Sequence, residues 1–325
     1  MRKVNAVIRA LFVPFGFLPE VILFGSAVYL LVRFTVRDTI VAARYVFYLP
    51  MPVFVAACFV GIVFRLAQRR RMWAALVTAA ALAALLFCVW TDEFRPGGSV
   101  AATDIEGASL KVVTWNIHAG RAGWEKIAGR IRQEDPDIVM LVEAYISRSP
   151  DRAGVWAKEF PGYEVANERG PMTILVKGRV RMTKGAEIRV APFYLSRYLS
   201  VEVEVDGRPL NLILIHPTPA FDRDSGEIYG KLVELIDRVG DEKPLILSGD
   251  FNTPPNSAYL APVRERLRSA FEIAGRGFAY SWPAYLPMFA IDHTFVNRHI
   301  QVTDYCIEHT NLSDHCIQIM EISLR

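Results

Sequence analysis

The chain has 325 residues, 52% of them hydrophobic, and a formal net charge of +3. That length holds one large domain and something more, and the apolar fraction lies slightly above the range usual for soluble domains. The near-neutral total conceals an asymmetry: residues 1–90 carry ten Lys/Arg against two acids, residues 91–325 carry 27 against 32, a net of −5. An acidic back part, with no basic cluster beyond Arg264, Arg266 and Arg268, argues against a duplex-gripping face that works by displacing counterions.

Three apolar runs open the chain: 11–32, which contains Pro14, Pro19 and Glu20; 45–64, with Pro50 and Pro52 early in it; and 72–91, twenty residues without a charge. Twenty helical residues cover about 30 Å, the thickness of a bilayer's hydrocarbon core. The expectation is a transmembrane region over residues 1–91 with three spans. Several long runs in succession, with no small-residue cleavage site, fit a removed signal peptide poorly. Glu20 reads as part of a helix start, with Pro19 at the interface. Arg65, Arg69, Arg70 and Arg71 precede the last run and agree in side with Arg2, Lys3 and Arg9. The excess of positive residues keeps that side cytoplasmic and puts the remainder of the chain outside. Pro96-Gly97-Gly98-Ser99 reads as a tether within a linker at 92–108, leaving a globular domain over 109–325.

In that domain, strand-like runs are expected at 110–116, 137–143, 173–177, 186–190, 199–205, 210–216, 244–249, 291–296, 301–307 and 316–323. Val201-Glu202-Val203-Glu204-Val205 alternates as a half-exposed strand does, and Asp206-Gly207 supplies a tight turn to the next. Helical periodicity marks 124–133 and 226–239, with a shorter helix at 257–267. Many strands and few helices point to an α/β protein with two stacked sheets flanked by helices. Cys58 and Cys88 sit in apolar runs; Cys306 and Cys316 flank a short connection between strands. A disulfide is open to the second pair, and buried free thiols are the favoured reading.

Five of these apolar segments share a feature: each delivers an Asn, Asp, Glu or His at an end. Asn116 closes the first and is followed by Ile117 and His118; Glu143 closes the second; His216-Pro217 closes Leu212–Ile215; Gly249-Asp250-Phe251-Asn252 follows Leu245–Ser248. Asp292 stands in Ile291-Asp292-His293-Thr294-Phe295-Val296, and Ser313-Asp314-His315 precedes the last run. Strand ends are where sites form on sheet-based folds. This ordered set resembles the endonuclease/exonuclease/phosphatase superfamily over residues 109–325. The resemblance implies a four-layer α/β sandwich and metal-dependent cleavage of phosphate esters.

By that resemblance Glu143 is the principal metal carboxylate, with Asn116 and Asp314 close by, and the ion is magnesium or manganese. Both are hard cations that favour oxygen ligands. Asp250 and Asn252 align and activate the attacking water. His315, backed by Asp292, acts as a base or as a cation against the phosphate, and His216 contacts the phosphate or helps the leaving group. His293, His299 and His309 read as structural or solvated; so does His118, the first to reconsider because it follows Asn116. Arg121, Tyr145, Arg169, Arg197, Trp282 and Tyr285 are candidates for shaping substrate choice.

Nucleases, phosphatases and lipid phosphodiesterases share this core, so the motifs alone do not choose a substrate. The acidic back part and the tether favour a phosphohydrolase acting on a membrane-associated phosphate ester or pyrophosphate, with the bilayer and a phosphorylated lipid or small molecule as partners. The architecture resembles membrane-anchored bacterial members, which implies a multi-pass protein of the cytoplasmic membrane with its catalytic domain outside. An anchored nuclease is the enzymatic alternative, and a non-catalytic receptor for a phosphorylated ligand is the alternative of another class.

Overall fold

The computed structural model describes residues 17–68, 72–97, 109–144, 152–167, 171–183, 196–218 and 226–325. It divides into two compact units, Met1–Glu93 and Phe94–Arg325. The expected strand at 186–190 lies outside the described residues.

In the first unit the described residues cover the three expected spans unequally. Run 11–32 begins outside the described residues, and the helix within it, Leu18–Phe34, has 17 residues. Pro19 stands at its start and Glu20 in its first turn, where the Glu20 carboxylate lies 3.3 Å from Arg65. The second run is broken into Val41–Phe47 and Met51–Leu66, bent by 64°. Pro50 and Pro52 fall at that break, where a missing N–H and a fixed φ interrupt helical hydrogen bonding. Met72–Glu93 is a 22-residue helix with an 18-residue stretch of mean hydropathy 2.3, long and apolar enough to cross a bilayer. Among the described residues there is thus one such helix, or two if the bent pair is a single broken span.

The second unit contains strands β1 (Phe94–Pro96), β2 (Leu110–Asn116), β3 (Ile138–Val142), β4 (Tyr163–Asn167), β5 (Thr173–Lys177), β6 (Val180–Met182) and β7 (Ser196–Val205). There follow β8 (Arg208–Pro217), β9 (Leu245–Asp250), β10 (Arg268–Ser269), β11 (Arg276–Phe278), β12 (Asp292–Val296), β13 (Ile300–Glu308) and β14 (Ile317–Leu324). One mixed sheet has the order β13-β14-β2-β3-β5-β4, the other β10-β12-β9-β8-β7-β6. Alternation along each strand separates two faces. On β2, Val112 packs with Met140, Leu212 and Ile246 between the sheets, while Val113 and Trp115 point to the outer side. There they meet Ile127, Ala128 and Ile131 of helix Trp124–Glu134. Ile213, Leu247 and Phe295 pack on Leu232, Leu235 and Ile236 of helix Gly226–Val239. The result is helix, sheet, sheet, helix: an α/β fold in four layers.

Strand direction explains why the polar ends gather. β2 and β3 are parallel with Asn116 opposite Val142, so Asn116 and Glu143 emerge together. β8 and β9 are parallel with Ile215 opposite Gly249, which delivers His216 and Asp250 together. β12 runs antiparallel to β9 and starts at Asp292 opposite Asp250. β14 runs antiparallel to β2, so the Ser313–His315 segment before it arrives beside the end of β2.

Two further expectations meet the structure. Part of the expected linker is strand β1, whose Phe94 pairs with Phe278 of β11 at a ring separation of 5.0 Å. Aromatic packing of this kind recruits a segment that composition alone reads as a tether. In the β13–β14 hairpin Cys306 stands opposite Ile319 while Cys316 precedes β14, and both thiols are free.

Gly249 permits the close approach of β8 and β9. Its φ is +144°, and a Cβ there would fall 2.0 Å from the carbonyl oxygen of Ile215. Neither strain nor clash can be relieved by a rotamer change, because the obstacle is backbone. Gly249→Ala is expected to cost on the order of 3 kcal/mol or more, read as a lowered midpoint in thermal unfolding of the solubilised chain.

Candidate active site

Asn116 lies at the centre of the gathered strand ends and is 1% exposed. Its Nδ2 is 3.0 Å from Asp250 Oδ2, 3.3 Å from Glu143 Oε1 and 3.4 Å from His315 Nε2. Its Oδ1 accepts from the backbone N–H of His118 at 3.0 Å. His216 Nε2 lies 3.6 Å from Glu143 Oε1 and 3.7 Å from Asp250 Oδ2, and His315 Nε2 lies 3.7 Å from the same Asp250 oxygen. Five side chains from five separate segments therefore converge on one cleft.

Backbone geometry sets two of the remaining positions. Glu143 adopts φ +52° just beyond β3, and Asn252 adopts φ +50° after β9. Both turn the chain sharply at the rim, where left-handed φ is uncommon for residues with a side chain. Asp250 Oδ1 accepts from the Asn252 N–H at 2.9 Å, and Asn252 Nδ2 donates to the Pro217 carbonyl at 2.9 Å. Asn252 thereby ties the end of β9 to the residue after His216.

Asp292 stands behind His315, its Oδ2 accepting from Nδ1 at 2.8 Å. Ser281 Oγ donates to the same oxygen at 2.6 Å, so the carboxylate is itself held in place. Burial alone disfavours a charged His315, but the charge of Asp292 and its hydrogen bond, with Asp250 and Asp314, outweigh it and lift the pKa to about 9. Asp250 moves upward too, to about 7, through burial first and the nearby charge of Asp292 second, with His315 and two hydrogen bonds opposing.

Asp314 is joined to the group through a residue read from the sequence as structural. Its Oδ1 lies 3.2 Å from His118 Nδ1, and Trp282 Nε1 donates to its Oδ2 at 3.4 Å. His118 and Asp314 form a second imidazole–carboxylate pair, about one-third exposed on the cleft rim. Position two residues past Asn116 was the available signal, and only the fold supplies the carboxylate partner. His293 is buried, with Nε2 2.8 Å from the Thr253 carbonyl, and burial pushes it down to about 4, as befits a neutral structural imidazole. Tyr145 and Arg169 lie outside the described residues, as does the side chain of Arg197.

Asp250, Asp292 and His315 each offer a ligand atom within 4.8 Å of the others, a grouping that could hold a metal ion. Within that grouping Asp292 Oδ2 and His315 Nδ1 are engaged with each other at 2.8 Å. Glu143 Oε1 and Asp250 Oδ2, by contrast, share the neighbours Asn116 Nδ2 and His216 Nε2. The carboxylate oxygens of Glu143 and Asp250, brought together in one cleft, are of the type that suits a hard divalent cation.

The proton balance of the dyad has a measurable consequence. His315 is raised above its ordinary value near 6.5, so its contribution to stability is complete below that pH and is lost as pH rises through about 9. Ionisation of Asp250, raised from 3.8 to about 7, costs stability above pH 7, and the cost is relieved as pH falls toward 3.8. In chelator-treated protein, Asp292→Asn is expected to drop the His315 titration well below 9, seen by NMR of the imidazole nitrogens. It also removes the stability loss between pH 6.5 and 9.

The profile of the Endonuclease/Exonuclease/phosphatase family matches residues 113–315. No curated protein sequence matches the chain. Among solved structures, a Bacteroides thetaiotaomicron mannosyl-6-phosphatase is 18% identical, with 66% of this chain and 100% of that one covered at a TM-score of 0.56. D. rerio TDP2 complexed with a single-strand DNA product is 18% identical, covering 66% and 99% with a TM-score of 0.54. The human Nocturnin catalytic domain with a bound sulfate is 18% identical, covering 67% and 94% at 0.51. Likeness at these identities carries the fold.

Proposed function

The chain belongs to the endonuclease/exonuclease/phosphatase family and is at that level a phosphoester hydrolase; we propose that it is membrane-anchored and divalent-metal-dependent, with a membrane-associated phosphate ester or pyrophosphate as substrate. The observation that carries the proposal is the convergence of Asn116, Glu143, His216, Asp250 and His315. Met72–Glu93 supports the anchor, and Arg65 with Arg69–Arg71 before it favours a bacterial cytoplasmic membrane protein with its catalytic unit outside.

In this reading Asn116, Glu143 and Asp314 would hold magnesium or manganese. When bound, the ion neutralises phosphoryl oxygens and so lowers the barrier to attack by an oxygen nucleophile. The remaining chemistry belongs to the side chains. Asp250, whose Oδ2 lies 3.0 Å from Asn116 Nδ2 in the cleft, is placed to take the proton of an attacking water. Asn252 fixes Asp250 through its backbone N–H and orients the water with its side chain. His315 stays charged at neutral pH because Asp292 holds its Nδ1–H, so Nε2–H faces the phosphoryl group as a donor and positive charge. Of the two roles open to it from the sequence, the cation is the one its environment favours. His216, beside Glu143, contacts the phosphate or assists the leaving oxygen.

The substrate class rests on the anchor and on the acidic balance of residues 91–325. The full-length chain, assayed with magnesium against lipid phosphates, sugar phosphates and DNA, is expected to prefer the lipid esters and to lose turnover with a chelator. Rapid DNA cleavage beside inert lipids overturns the preference and establishes the nuclease alternative. Asp250→Ala and His315→Ala are each expected to lower turnover by a factor on the order of 10³. Retained ligand binding with no turnover in the unaltered chain would instead mark a receptor. Magnesium is also expected to raise the thermal midpoint of the unaltered chain, an increase that Glu143→Gln diminishes, because a ligand bound only by the folded state stabilises it.

A further inference from the structure

Among the described residues of the second unit, large apolar side chains are exposed at three positions: Phe278 (51%), Tyr285 (82%) and Leu286 (58%). They fall within nine residues, from the end of β11 into the loop before β12. Tyr285 and Leu286 form the tip of a short loop with a fastened stem. Ser281 N–H donates to the Phe289 carbonyl at 2.8 Å, Met288 N–H to the Trp282 carbonyl at 3.0 Å, and Leu286 N–H to the Pro283 carbonyl at 2.9 Å. Pro283 and Pro287 flank the tip and restrict its backbone, so the apolar pair is held outward rather than folded back.

The stem is bonded to the catalytic groups. Ser281 holds Asp292, Trp282 Nε1 donates to Asp314, and the Ala284 N–H donates to the Asp314 carbonyl at 2.6 Å. The exposed tip is therefore a lip of the cleft. At its other end the segment begins in β11, where Phe278 packs on Phe94 and stacks on Tyr280 at 5.3 Å.

Covalent connection indicates what covers the lip. Helix Met72–Glu93 ends one residue before β1, and β1 pairs Phe94 with Phe278. Phe94 follows that helix directly in the chain, and Phe278 is held to Phe94 across the ladder. A tyrosine beside a leucine suits a bilayer boundary, with the ring amphipathic and the aliphatic group apolar.

We propose that Phe278 and the Tyr285–Leu286 tip dock on the lipid bilayer and present the cleft to phosphate groups in the headgroup layer. The proposal rests on the reading above, in which Met72–Glu93 spans and the substrate is membrane-associated. Docking keeps the cleft at the surface where such esters are concentrated and restricts the orientations in which they meet it.

The test uses the full chain in nanodiscs of phosphatidylethanolamine and phosphatidylglycerol. Photoreactive benzoylphenylalanine is placed at position 285 or 286, with position 181 as control. The side chain of Arg181 is 74% exposed and lies on β6, one edge of the sheet whose other edge is β10, next to β12. Lipid adducts at 285 and 286 are expected to exceed those at 181 by about tenfold, and equal labelling overturns docking. In the same discs the double variant Tyr285→Ser/Leu286→Ser is expected to lose about tenfold in turnover of embedded phosphatidic acid while retaining turnover of soluble para-nitrophenyl phosphate. Equal loss on both, or loss on neither, overturns the proposal. Strong adducts in a chain that hydrolyses only the soluble ester support docking and overturn the lipid-substrate reading instead.

Discussion

The hydrogen bond between Asn116 and Asp250 joins the two sheets at the point where chemistry is expected, and much else depends on it. β2 and β9 belong to different sheets, so this contact requires both the stacking and the register of those sheets to be correct. The layer below enforces that register. Ser248 Oγ lies 2.9 Å from Thr114 Oγ1 and 2.6 Å from Thr294 Oγ1, and Thr294 donates to Gln318 at 3.0 Å. Thr114, Ser248 and Thr294 each stand two residues from Asn116, Asp250 and Asp292, one pleat repeat away on the same strand face. Buried hydroxyls tolerate few alternative pairings, because each unmade bond leaves a desolvated polar group. A slip of one residue would turn the whole set to the wrong face.

Charge is the second organising factor. Glu143, Asp250, Asp292 and Asp314 come together with His118, His216 and His315, and two of the histidines have a carboxylate at hydrogen-bond distance of one ring nitrogen. The rise of Asp250 toward neutrality expresses the cost of placing carboxylates in a buried cleft without a cation. Function and stability are opposed here: the geometry that suits a phosphoryl group and a divalent ion is one the protein alone holds at an electrostatic cost.

Local chemistry reads well from the chain where it repeats. The helix at Gly226–Val239 has the expected bounds because one apolar period runs through it, and the strand at Thr173–Lys177 because a short continuous apolar run is closed by polar residues. Short pieces carry too few residues for a period, and so β1, β10 and β11 escape such a reading. The apolar run at 45–64 satisfies composition yet breaks, because two prolines outweigh hydropathy in deciding helix continuity. His118 shows the same limit in the site: its neighbour in sequence is visible, while its partner Asp314 lies 196 residues away.

Read along the chain, the residues disclose which types stand at strand ends and where the apolar runs lie, and with them the family and the class of bond attacked. Tertiary structure decided which ends meet, that Asp314 faces His118, that Asp292 is held by Ser281, and that an apolar tip stands beside the cleft. The division has one physical reason. Side-chain periodicity and turn chemistry are local properties, whereas parallel or antiparallel pairing and the stacking of sheets bring together residues whose separation along the chain leaves no local trace.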